Sequence, residues 1–114
     1  MSDYRPDRWC VVKITPKDKT PLYKVFAIWN GNYLSDSGES WKLNSGITKV
    51  IKEGSEFLFH GYSGSIYRCN EIYYGISMYG ASVLDDIINR AEAVGGTIDI
   101  LPEETNWLEI DYED

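Results

Sequence analysis

Only one histidine, His60, occurs in the chain, and only two cysteines, Cys10 and Cys69. The first scarcity gives any nucleophile-and-base arrangement a single imidazole to draw on. The second leaves a structural zinc short of four ligands, since these three residues include no Cys-x-x-Cys pair. No run approaches the ~20 apolar residues of a spanning helix. Met1 to Pro6 lacks the apolar core of a secretory leader, and no Asn begins an Asn-x-Ser/Thr acceptor. A cytoplasmic chain with two buried, reduced thiols, no cofactor, no metal and no membrane partner is therefore expected.

Basic residues are missing altogether from residues 91–114, which hold eight acids: Glu92, Asp99, Glu103, Glu104, Glu109, Asp111, Glu113 and Asp114. They account for the formal charge of −7, because the first ninety residues are near neutral. Such an end repels nucleic-acid phosphates, which excludes duplex binding, and attracts basic protein surfaces. Glu103, Glu104, Glu109 and Asp111 are thus a candidate acidic contact surface, with a merely solubilising tail as the plainer alternative.

What is present in excess is aromatic: four Trp, nine Tyr and three Phe make up 14% of 114 residues. Rings favour strands and broad amphipathic contacts. At this length one core and one domain over residues 1–114 are expected. Strands are predicted at Trp9–Ile14, at Leu22–Trp29 (central, covered on both faces), at Trp41–Leu43, and at Ile47–Lys52, Glu56–His60 and Ser65–Cys69 as an antiparallel meander. Turns are predicted at Asn30–Asn32 and around Asp36-Ser37-Gly38. Leu84, Ile87, Ile88 and Ala91 share one helical face, Ser82 to Asp85 fits a capping box and Gly95 suits the C′ position, so a helix is predicted from about Ser82 to Val94. A short strand Thr97–Leu101, a break at Pro102 and a half-apolar segment Trp107–Tyr112 follow. The sum is α+β: an antiparallel meander of five to seven strands with one C-terminal-half helix packed on it.

Catalytic patterns are weak. Ser63 and Ser65 lie near His60, but no Gly-x-Ser-x-Gly elbow occurs, and a backbone-bonded or solvent-facing histidine is the plainer reading. The turn Gly61-Tyr62-Ser63-Gly64-Ser65 lacks the lysine of a phosphate-binding loop, and no Asp-x-Asp-x-Asp-Gly calcium loop is present. Residues 57–80 instead interleave rings with glycines around Arg68. Tyr62, Tyr73, Tyr74 and Tyr79 fall in turn or loop contexts, so with Arg68 they form the candidate binding residues. Strand-face packing is the alternative reading of the same rings.

Several stretches carry a resemblance: Asp3 to Trp9 with Val12-Lys13-Ile14, Leu22 to Val25, Trp29 to Leu34, Ser40-Trp41-Lys42-Leu43-Asn44-Ser45-Gly46-Ile47, and Ser63 to Cys69. Over roughly its first seventy residues the chain resembles a group of small, uncharacterised accessory proteins of tailed bacteriophages. The resemblance implies the host cytoplasm as habitat and assigns no catalytic residue. The function expected is a non-catalytic binder that inhibits or masks a host (defence) protein through its aromatic and acidic surface. The alternative is sequestration of a small nucleotide, with Arg68 and tyrosines on the base; a small hydrolase using His60 comes third. A homodimer is expected, since so many rings in a short chain leave apolar surface to cover.

Overall fold

A computed structural model describes residues 3–30 and 39–112 of the chain. The predicted turn at Gly31-Asn32, the loop around Asp36-Ser37-Gly38 and the acids Glu113 and Asp114 lie outside those residues.

The β-rich half forms strands β1 (Asp3–Tyr4), β2 (Arg8–Thr15), β3 (Leu22–Asn30), β4 (Glu39–Leu43), β5 (Ile47–Glu53), β6 (Glu56–Gly61) and β7 (Ile66–Asn70). A 3₁₀ turn at Glu71–Tyr73 leads to helix α1 (Met78–Ala93) and then β8 (Thr97–Ile100). The class is α+β, with the meander β5-β6-β7 antiparallel as predicted. Among the described residues eight strands divide into two four-stranded sheets, β1-β7-β6-β5 and β4-β3-β2-β8. Gly54, at φ 60°, closes the β5–β6 hairpin in a left-handed conformation that side chains resist.

The second sheet is the middle layer. Alternation along β2 and β3 sends Trp9, Val11, Val25 and Ala27 into a core shared with Phe59, Tyr67 and Cys69 of the first sheet. The intervening Cys10, Val12, Phe26 and Ile28 form a second core with Leu84 of α1 and Ile98 of β8. Val25 through Ile28 are consequently all fully buried, the two-faced burial that the nearly uncharged run predicted. The two thiols sit in different cores, and burial pushes Cys10 up to about 12 and Cys69 well above its ordinary value.

The helix begins four residues before the predicted Ser82. Its N-cap is Ser77, whose hydroxyl accepts from the Gly80 N–H at 3.1 Å. Ser82 and Asp85 are both exposed, an i,i+3 pair on the solvent side that imitates a capping box. Gly80 misleads the sequence reading as a loop residue. Here it allows close approach: a Cβ at that position would lie 2.3 Å from Ile28 Cδ1. Leu84 is fully buried and Ile87, Ile88 and Ala91 half-buried, with Asp85, Asp86, Asn89 and Arg90 outward. Val94 and Gly95, at φ 88°, end the helix.

The acidic end is not a loose tail over its described length. Residues 101–112 cross the open side of the inter-sheet core. Trp107 enters that core, its ring centre 5.8 Å from that of Trp9, 6.2 Å from Phe59 and 5.6 Å from Tyr74. Tyr112 donates to the Trp107 carbonyl at 2.6 Å and packs edge-on against Tyr23. No helix of the described residues is long and apolar enough to cross a membrane.

Candidate functional site

The two sheets and the C-terminal segment leave a cleft of about 350 Å³ between them. Trp9 from β2, Phe57 from β6, Tyr74 and Trp107 form its aromatic floor and walls. Trp9 and Tyr74 meet at 90° with ring centres 4.8 Å apart, the edge-to-face arrangement favoured by the ring quadrupoles. The Trp9 indole N–H donates to the Asn70 carbonyl at 2.7 Å, fixing the ring across the sheets. The Tyr74 hydroxyl accepts from the Val11 N–H at 3.3 Å and donates to the Leu101 carbonyl, and burial raises its pKa. Tyr74 therefore ties β2 to the C-terminal segment while its ring lines the cleft.

The rim is acidic and partly apolar: Glu71, Glu103, Thr105 and Ile72, the last 71% exposed. Glu71 pairs with Lys52 Nζ at 3.0 Å, and the same ammonium lies 5.0 Å from the Phe57 ring centre. Among the described residues Glu103 forms no ion pair. Ring faces and carboxylates both attract positive charge, the rings through their quadrupole and the carboxylates through their formal charge.

The five predicted binding residues do not gather at one place. Tyr74 alone lines the cleft. Tyr73, 48% exposed, is its neighbour in the chain. Tyr62, 64% exposed, sits on the β6–β7 turn over Gly46, at the other end of β7 from Tyr73. The five-residue strand that lies between them is about 17 Å long. Tyr79 is half-buried in the first turn of α1. Arg68 pairs across β6 with Leu58, on the face opposite that of Phe57, Phe59 and Tyr67. There it bonds Asp3 at 3.0 Å and lies 3.6 Å from both Glu53 and Glu56. Its hydrogen bond to Asp3, with the nearby acids, raises its pKa further. This guanidinium holds β1 to the hairpin, where the sequence reading gave it a ligand.

Of the predicted acids, Glu103 reaches the cleft, and Glu104 and Glu109 are exposed. Asp111 lines a separate groove of about 260 Å³ with Tyr112 and the edge strand β5. His60 is half-buried on the outer face, its Nε2 without a hydrogen-bond partner among the described residues, and burial followed by Lys49 lowers its pKa. Ser63 Oγ bonds Ser45 Oγ at 3.2 Å and Ser65 Oγ at 3.4 Å. No group of three or more His, Cys, Asp or Glu that could hold a metal ion occurs among the described residues.

Trp9, Phe57, Glu71 and Trp107 went unselected in the sequence because each looks like an ordinary core or surface residue. The one available signal was Trp107, a large ring isolated in an acid-rich stretch. No family model, curated protein or solved structure matches the chain.

Proposed function

We propose that the protein is a non-catalytic binding module that docks on a basic protein surface and takes a cationic side chain into the cleft. One observation carries this: the aromatic region and the acidic end, separate in sequence, meet around a single cavity. The net charge of −7 would steer such a partner. Exposed Ile72 and Tyr73 beside the cleft would supply apolar contact around the charge. Joined to the resemblance of the first seventy residues, the reading becomes a phage accessory protein that masks a host protein in the host cytoplasm. A small nucleotide fits less well. Its phosphates would meet Glu71 and Glu103, and Arg68, meant to clamp it, is engaged by Asp3. Self-association belongs to the same proposal, and light scattering that returns 13.0 kDa would remove it.

Calorimetric titration with a lysine-rich peptide tests the docking. Ile72→Ala should weaken binding by about 1–2 kcal/mol without loss of fold stability. Glu103→Gln should slow association and flatten its salt dependence. Both variants binding at full strength, or a nucleotide raising the unfolding midpoint while the peptide does not, would reject the reading.

A further inference from the structure

We propose that two copies of the chain join edge to edge through β5, antiparallel and with the two-fold axis at Ile51, so that their first sheets become one continuous sheet. The inference rests on the self-association in the reading above and gives it a surface. Among the described residues β5, at seven residues, is the longest of the strands that end a sheet, and it contains no proline. Glu53 and Glu56 flank the two-residue turn Gly54-Ser55, so they exchange both backbone bonds across the hairpin. By alternation Ile51 and Lys49 also bond β6, whereas Val50 and Lys52 turn their N–H and C=O groups outward. Nothing among the described residues bonds those outward groups. The C-terminal segment passes beside β5 across a groove of about 260 Å³, and the Leu108 and Glu109 N–H groups bond Asn106 instead.

The outward groups and the side chains together select a register. Centred on Lys52, an antiparallel pair of β5 strands would set two ammonium groups face to face; centred on Val50, it would set Lys49 against Ile51. Centred on Ile51, it lets Val50 exchange backbone bonds with the partner's Lys52, sets Ile51 against itself and places Lys49 opposite the partner's Glu53. Lys49, Ile51 and Glu53 are all exposed on the outer face of the sheet, Ile51 by 43%. Neither charge is balanced within one copy. Lys49 faces His60 across β6 and makes no ion pair among the described residues. Glu53 faces Glu56 and shares Arg68 with it and with Asp3. The second copy supplies each with its opposite, and the two Ile51 side chains cover one another.

The test is light scattering over a dilution series on wild type, Lys49→Glu, Glu53→Lys and an equimolar mixture of the two variants. Wild type should run at twice 13.0 kDa. Each variant alone sets like charges opposite one another at both symmetric pairs, which should weaken the dimer by about ten-fold. The mixture should restore it, because every pair is then one acid and one base. Oxidised Ile51→Cys should cross-link as a dimer and Lys49→Cys should not, since only residue 51 meets its own copy, at a Cα spacing of ~4.5 Å. That cross-link reads the same interface without altering a charge. The peptide titration above, repeated on Lys49→Glu, reads the docking separately. A wild type of 13.0 kDa at every concentration removes self-association and this interface together. A dimer that both variants keep, that the mixture fails to restore or that Ile51→Cys does not cross-link overturns the β5 interface alone.

Discussion

Replacing Trp107 with Ala should unfold the protein far more readily than any change to a solvated acidic end could. The ring is 2% exposed and lies within 5.6–6.2 Å, centre to centre, of Tyr74, Trp9 and Phe59. Emptying such a site costs about 3–5 kcal/mol, from lost burial and from the cavity left among rigid rings. That is a large part of the ~5–15 kcal/mol that holds a domain together. With an unfolding entropy of about 2.1 cal/mol/K per residue, each kcal/mol lowers the midpoint by about 4 °C in a chain of this size. Thermal melts followed by near-ultraviolet circular dichroism should therefore show a fall of about 12–20 °C. Trp107→Phe should recover part of it, and truncation after Leu101 should lose at least as much, because Ile110 and Tyr112 also pack on this core. A midpoint within about 2 °C of wild type for Trp107→Ala would refute the reasoning, since surface changes rarely exceed ~0.5 kcal/mol.

Leu84→Ala, at a fully buried position of α1, should cost ~2–5 kcal/mol. Ile88→Ala should cost less, as Ile88 is only half-buried; equal stability of the Leu84 variant and wild type in urea would take the helix out of the core. His60 has a lowered pKa in the fold, so the unfolded chain binds its proton first as pH falls. Its contribution is complete above the ordinary value of about 6.5 and declines below it until the folded group also protonates. The stability gap between wild type and His60→Gln should narrow from pH 7 to pH 5; a constant gap would show that the imidazole titrates alike in both states.

How far the sequence was legible differs between elements. The meander was readable because Ile47 to Lys52 alternates and the hairpin turn contains Gly54, both strictly local signals. Leu22–Trp29 announced a strand with two buried faces by its near absence of charge. The helix was legible from its apolar stripe, whereas its start was not: Ser77 and Ser82 both cap plausibly on local grounds, and only the approach of Gly80 to Ile28 separates them. Strand β1, two residues long, carries no periodicity at all.

By itself the sequence determined the α+β class, most strands, the apolar face of the helix and the negative end, because each depends on neighbours a few residues apart. Tertiary structure alone decided that the strands divide into two sheets, that Arg68 is spent on Asp3, and that Trp9, Phe57, Tyr74, Glu103 and Trp107 share one cleft. Those residues come together only when two sheets pack face to face and a distant segment crosses their open side. That outcome is set by how the buried faces fit one another, and no local pattern of residues encodes it.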